Sequence, residues 1–298
     1  MRLKFWGTRG SISTPGKDTV RYGGNTPCIE LRLLNEELVI LDAGTGIRNF
    51  GETLIENGES INAYILISHP HWDHIQGFPF FKPAFISGNE LTIVGGESEK
   101  VSLKKMISDQ MNKVYFPIQL NELKAKINFK RVGEEEFSVL GATVKTMYVN
   151  HPSFAIGYRI TQAGKSLVYI SDNEPFDRRV VQEMRNIEKV VIDRYSHSKS
   201  DPNQCVFDFV RNADVLIHDS TYTPEEYVDR VGWGHSHYLF TLKVAAEGKV
   251  KRLVLFHHDP AHNDAKVDDI LKTCRKEIRN RQYKFDCVAA AEGMELEI

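Results

Sequence analysis

Short apolar runs in this chain repeatedly stop on a histidine or an aspartate, and this pattern limits the fold more than any other feature. Residues 37–41 end at Asp42-Ala43-Gly44-Thr45-Gly46, 63–67 at Ser68-His69, 137–149 just before His151, and 166–170 at Ser171-Asp172. Residues 190–192 run into Asp193, 215–217 into His218-Asp219, and 253–256 into His257-His258-Asp259. Apolar runs of this length between turn residues read as strands buried in a sheet. Further strands fall at 3–5 and 91–94. Two hairpins are expected, 28–34 with 37–41 around Asn35-Glu36, and 155–160 with 166–170.

Helices are predicted over 45–57, 98–113, 176–187, 203–212, 238–247 and 265–279, the last with Asp264 as its N-cap. Strands mixed with covering helices argue for an α/β fold. The 298 residues show no repeat and no low-complexity linker, so one domain over 1–298 is expected. No stretch approaches 18 apolar residues and no apolar run precedes a cleavage site, so neither a membrane span nor a signal peptide is read. The four cysteines, Cys28, Cys205, Cys274 and Cys287, have neither zinc-ribbon nor disulfide-framework spacing. A reduced, cytoplasmic protein follows. A formal net charge of -2 supplies no bulk attraction to nucleic acid.

Residues 68–74 read Ser68-His69-Pro70-His71-Trp72-Asp73-His74. In an extended segment alternate side chains point the same way, so His69 and His71 share a face, and Asp73 joins them if the chain stays extended. His74 joins them if a tight turn or helix starts there. One loop thus supplies four ligands, split between two neighbouring metals. Imidazole and carboxylate suit zinc first, and also manganese or iron. Trp72 is expected to pack beneath the ligands. Met106 and Met111 read as core, as do most aromatics of the Phe78–Phe85 stretch. An exposed aromatic there, or in Tyr115-Phe116-Pro117, would be able to stack on a base.

The HxHxDH spacing after an apolar strand resembles the signature of the metallo-β-lactamase-fold hydrolases, and the likeness runs along most of the chain. The resemblance implies a four-layer αββα sandwich with mixed sheets. It also implies a dinuclear site: His69, His71 and His151 on one metal, Asp73, His74 and His257 on the other, and Asp172 bridging them beside a water or hydroxide. Asp42 matches an early aspartate–glycine turn that supports ligands from behind. His258 is the nearest rival to His257.

Within that superfamily, Leu216-Ile217-His218-Asp219-Ser220-Thr221-Tyr222 and Gly232-Trp233-Gly234-His235-Ser236 resemble two segments of the ribonuclease Z branch. By that analogy His235 is a phosphate ligand or general acid oriented by Asp219. The catalytic candidates are therefore Asp73, His218, Asp219 and His235, although His218 reads equally as a core histidine. The segments Gly7-Thr8-Arg9-Gly10-Ser11 and Arg21-Tyr22-Gly23-Gly24-Asn25-Thr26 resemble turns of phosphodiesterases. They nominate Arg9, Arg21, Asn25 and His235 for substrate binding, with plain tight turns as the alternative. His197, His237 and His262 read as surface or loop histidines.

Only 21 positions separate His151 from Asp172, which leaves no room for the long transfer-RNA arm of ribonuclease Z. The expected reaction is hydrolysis of a small phosphodiester, foremost a cyclic nucleotide, without a nucleic-acid partner. Another bond (thioester, lactone or β-lactam) and ribonuclease Z-like RNA processing are the enzymatic alternatives. A metal-containing sensor that has lost turnover is the non-enzymatic one. The resembled branch admits a homodimer, with the 173–209 segment a candidate for contacts or a lid.

Overall fold

A computed structural model of the chain describes residues 1–97, 101–176 and 201–298. Fourteen strands among them form two seven-stranded mixed sheets. The first holds β1 (Arg2–Gly7), β2 (Cys28–Arg32), β3 (Leu38–Leu41), β4 (Asn62–Leu66), β5 (Glu90–Gly95) and β6 (Lys126–Arg131), and the C-terminal β14 (Glu295–Glu297) pairs antiparallel beside β1. The second holds β7 (Glu136–Val139), β8 (Ala142–Tyr148), β9 (Ile156–Gln162), β10 (Lys165–Ile170), β11 (Val215–Asp219), β12 (Arg252–Phe256) and β13 (Asp286–Ala289). Pairing is antiparallel from β1 to β3 and from β7 to β10, then parallel from β3 to β6 and from β10 to β13.

Three apolar clusters define the layers. One, built from Leu3, Leu41, Leu66, Val144, Tyr158, Tyr169 and Phe256 among others, lies between the sheets. A second covers the outer face of the first sheet with α1 (Gly46–Glu56) and α3 (Leu103–Asp109). The third covers the second sheet with α4 (Gln204–Phe209), α6 (Tyr238–Glu247) and α7 (Asp264–Asn280). Two short helices, α2 (Trp72–Ile75) and α5 (Pro224–Tyr227), lie on loops. The result is the four-layer αββα sandwich.

Both expected hairpins form. Between β9 and β10 the turn is Ala163-Gly164, both at positive φ, the backbone of a tight two-residue hairpin. Three expectations change. The 137–149 run is two strands, because Leu140-Gly141 makes another such turn. The 98–113 helix is described only as Leu103–Asp109, capped by Ser102, whose side chain accepts from Lys105 N. Asn263, not Asp264, caps α7, since its side-chain oxygen accepts from Lys266 N. The carboxylate of Asp264 instead accepts from the backbone N–H groups of Arg21 and Tyr22. Nearly all of the expected 176–187 helix, the 190–192 strand, Asp193 and His197 lie outside the described residues.

Candidate metal centre

Loops at one edge of both sheets converge on a single point. The loop after β4 carries His69, His71, Asp73 and His74. His151 follows β8, Asp172 follows β10 and His257 follows β12. α2 starts at Trp72, straight after an extended His71 (φ -61°, ψ 148°). That switch from strand to helix geometry turns Asp73 and His74 in succession toward the point that His69 and His71 already face.

The donor atoms fall into two main sets, and Asp172, His235 and His257 group as a third. Ligand atoms of His69, His71, His151 and Asp172 lie within 4.8 Å of one another, as do those of Asp73, His74 and His257. Asp172 faces both. Its Oδ2 is 3.5 Å from His69 Nε2 and 4.0 Å from His151 Nε2, and its Oδ1 is 3.3 Å from His74 Nε2 and 3.4 Å from His257 Nε2. Asp73 Oδ2 lies 3.2 Å from both His74 Nε2 and His257 Nε2.

These residues fit metal ions. His69 Nε2, His74 Nε2 and Asp172 Oδ1 are buried with no hydrogen-bond partner, which a protein interior does not tolerate without some other compensation. Burial pushes His69 well below the usual imidazole range and His151 down to about 3, so both keep a lone pair to donate. Burial works the same way on His74, but Asp73, Asp172 and Asp42 outweigh it and drive its pKa well up. Burial would raise Asp73 and Asp172, yet the surrounding histidines hold both well below the usual carboxylate range. Such a concentration of anionic oxygen is what a divalent cation offsets.

Three of the candidate ligands, His74, His151 and His257, are held from behind. His74 Nδ1 donates to Asp42 Oδ2 at 2.7 Å, and Asp42 also accepts from Ser68 N, Ser68 Oγ and Tyr169 Oη. His151 Nδ1 donates to Gly234 O at 2.9 Å. His257 Nδ1 meets Thr221 Oγ1 at 3.1 Å, which donates in turn to Asp219 Oδ1 at 2.7 Å. Such contacts fix ring orientation and tautomer. Asp42 and His257 both adopt positive φ, 58° and 61°. Left-handed backbone at non-glycine residues clusters at functional sites and costs on the order of 1–3 kcal/mol each.

His235 lies beside the ligands. Its Nδ1 is 3.1 Å from Asp219 Oδ2 and 3.7 Å from Asp172 Oδ2. Burial would lower its pKa, but Asp219, Asp172 and Asp73 prevail and raise it to about 9. Asp219 also accepts from the backbone N–H groups of Thr221, Asn173 and Ser236. Glu174 accepts from Gly232 N, Gly234 N and Tyr227 Oη, and so shapes the loop that delivers His235. Reading the sequence did not find Glu174, Tyr169 or Asn173, since nothing in local pattern marks them. Ser68 and Thr221 sit inside the quoted motifs, and their hydroxyls were the available signal.

Several expected site residues stand elsewhere. His218 alternates with Asp219 along β11, so it faces the outer helices, edge-on to Phe240, with Nδ1 on the carbonyl of Asp219. Arg9 is fully buried and donates to the carbonyls of Gly23, Asp259 and His262, so it cinches loops where a phosphate grip was expected. Arg21 pairs with Asp268, and Asn25 is engaged by Glu292 and Thr45. His258 turns to Ala290 O. His262 is on a loop as expected, but buried against Glu226. Trp72 is 78% exposed rather than packed beneath the ligands, because it opens α2 on the side away from Asp73 and His74. Met111 is core, whereas half-buried Met106 lines a groove with Trp72.

A family model described as a beta-lactamase superfamily domain matches residues 38–207, the stretch that carries Asp42, the His69–His74 loop, His151 and Asp172. Ribonuclease Z of Thermoplasma acidophilum is 24% identical over 314 residues, covering 96% of this chain and 94% of that protein. Ribonuclease Z of Staphylococcus carnosus is 26% identical over 317 residues, covering 96% and 97%. The crystal structure of the metallo-beta-lactamase fold protein YhfI from Bacillus subtilis superposes with a TM-score of 0.66 at 16% identity, over 100% of this chain and 98% of that one. With the matching sandwich and the clustered histidines and aspartates, this places the chain in the metallo-β-lactamase-fold hydrolase superfamily.

Proposed function

We propose that this chain is a divalent-metal-dependent phosphodiesterase whose substrate is a small phosphodiester, foremost a cyclic nucleotide. The observation that carries the reading is the His235–Asp219 pair set against the ligand cluster, 3.1 Å apart with Asp172 at 3.7 Å. His69, His71, His151 and Asp172 would hold one ion, and Asp73, His74, His257 and the other Asp172 oxygen the second. Two such ions would supply a water of lowered pKa and would offset charge on the phosphodiester oxygens. Zinc suits the nitrogen and oxygen donors, and manganese or iron would also be accepted.

The chain's own residues do the rest. Asp219 keeps the His235 proton on Nδ1 and holds the imidazole charged near neutral pH. His235 is then placed to grip a phosphate oxygen or to give a proton to the departing sugar oxygen. A sugar alkoxide leaves poorly without that proton, whereas the thiolate of a thioester leaves without help. Thr221, Asn173 and Ser236 hold Asp219 in place.

The β9–β10 hairpin fills the gap between His151 and Asp172, which favours a compact substrate over one gripped by an arm there. A second reading, ribonuclease Z-like RNA processing, is favoured by the names of relatives that align along nearly the whole chain. Nucleic acid therefore stays in the test.

Metal-loaded protein should be assayed on a panel of cyclic nucleotides, linear dinucleotides, a 3′-extended transfer-RNA precursor, and thioester and lactone substrates. Cyclic nucleotides should turn over fastest, and His235→Ala should lower diester turnover about 10²–10⁴-fold. Faster cleavage of the precursor favours the second reading. Ester cleavage indifferent to His235→Ala sinks both.

A further inference from the structure

We infer that the apolar groove on the outer side of the His69–His74 loop is the subsite for the nucleobase of the substrate, which stacks on Trp72 and Tyr115 and accepts a hydrogen bond from Gln110. This deepens the phosphodiesterase reading and rests on it.

The loop that presents metal ligands on one side presents a different surface on the other. His69, His71, Asp73 and His74 turn to the ligand cluster, while Pro70, Trp72 and Ile75 line a groove of about 630 Å³. That volume is in the range of small-molecule sites, which run from about 300 to 1,000 Å³. Phe80, Tyr115 and Phe116 complete its aromatic wall, with Phe80 and Phe116 edge to face at 5.3 Å. Trp72 is 78% exposed, Tyr115 80% and Phe80 55%. Large aromatic rings left in water beside a reaction centre call for an occupant. A flat aromatic ligand suits them, because every base has a π-face and stacking tolerates any base.

A polar feature narrows the occupant. Gln110, at the C-terminal end of α3, lines the groove, and its Nε2 is buried with no hydrogen-bond partner. A buried amide donor without an acceptor is costly. A hydrocarbon occupant would leave that cost in place, whereas ring nitrogens and carbonyl oxygens of a nucleobase would remove it. Gln76, which also lines the groove, uses its Nε2 on Thr26 Oγ1 and keeps its carbonyl oxygen as an acceptor for an exocyclic amine. Position agrees with chemistry. Trp72 is the neighbour of two ligands, His71 and Asp73, and consecutive Cα atoms are about 3.8 Å apart. His71 is itself exposed, at the rim where cluster and groove meet.

The test is calorimetric titration of the metal-loaded protein with adenosine 5′-monophosphate, uridine 5′-monophosphate and ribose 5-phosphate. Both nucleotides should bind at least tenfold more tightly than ribose 5-phosphate. Tyr115→Ala should erase about five- to hundredfold of nucleotide affinity, the range one lost base stack gives. Gln110→Leu should remove about three- to tenfold, and neither variant should change the affinity for ribose 5-phosphate. Equal affinity for all three ligands in the unaltered protein overturns the inference, as does a base preference that survives in both variants. If sedimentation shows that Tyr115→Ala splits a dimer while the base preference persists, the groove is a contact between copies and the inference falls. Diester hydrolysis by the unaltered protein is scored apart. Turnover without base preference removes the groove alone, and base preference without turnover removes the phosphodiesterase reading and leaves a nucleotide site.

Discussion

Asp42 supports much of the site without lending a donor atom to either set. One buried carboxylate accepts from His74 Nδ1, Ser68 N, Ser68 Oγ and Tyr169 Oη, and does so at positive φ, a conformation that aspartate tolerates better than most residues. Asp42→Ala should therefore weaken metal affinity about ten- to hundredfold, the usual effect of removing a group that orients a ligand. Competition with a chelating dye measures this, and unchanged affinity would show that His74 needs no such support. Arg9 makes the opposite case. Its Nε and Nη1 donate to the carbonyls of Gly23, Asp259 and His262, with the guanidinium fully buried and Nη2 left without a hydrogen-bond partner. Arg9→Met leaves those acceptors unpaired at about 1–3 kcal/mol each where they stay dry. The loss should appear as a lower midpoint of denaturant unfolding, with KM on diesters unchanged for the folded fraction. A raised KM at unchanged stability would restore the phosphate-gripping role. The support from Asp42 was expected from the resemblance, whereas the role of Arg9 was not. The HxHxDH loop was legible from its own residue types and spacing, and His151, Asp172 and His257 through the family resemblance, which expects such residues after later strands. Whether Arg9 faces a ligand or a carbonyl depends on the 250-residue separation that folding closes, and no local pattern reports it.

At the scale of elements, short pieces with little propensity of their own set the geometry. α2 has only four residues, yet its start at Trp72 is what brings two consecutive residues, Asp73 and His74, to one centre. Long helices were legible from apolar spacing, and α6 falls on the expected residues. α2, β6, β13 and β14 were not, because brief or half-polar segments are defined by their neighbours in the fold rather than by periodicity. The loop before α6 is the most constrained of these pieces. Gly234 sits at φ +86°, its carbonyl accepts from His151 Nδ1, and a Cβ there would lie 2.2 Å from that same nitrogen. Gly234→Ala must move either the ring of His151 or the loop bearing His235. Turnover should fall at least a hundredfold while circular dichroism keeps the native signal. Near-normal turnover would mean that the loop shifts without cost and that His235 has no fixed post.

At the scale of the whole molecule, the candidate centre lies on the seam between the two halves. The first sheet sends His69, His71, Asp73 and His74, and the second sends His151, Asp172 and His257. Protein contacts already cross the same seam: Tyr158 Oη donates to Ile67 O at 2.7 Å, Ile156 N to Ser68 O, and Tyr169 Oη to Asp42. Ions held there would join groups of like charge, chiefly Asp73 and Asp172, that otherwise repel across the seam. Binding that requires both halves in place favours the folded chain alone, so it adds RT ln(1 + [ion]/Kd), about 2.7 kcal/mol at a hundredfold excess over Kd. For a chain of this size each kcal/mol moves the melting temperature by about 2–4 °C. Chelation should therefore lower the melting temperature by about 5–10 °C, and restoring the ions should return it. Asp172→Ala removes the one carboxylate that faces both donor sets, so its melting temperature should barely respond to added ions. Differential scanning calorimetry of both proteins, with and without chelator, decides the point. An equal shift in the variant would place the ions somewhere other than the seam, because no second carboxylate among the described residues faces both His69 and His257.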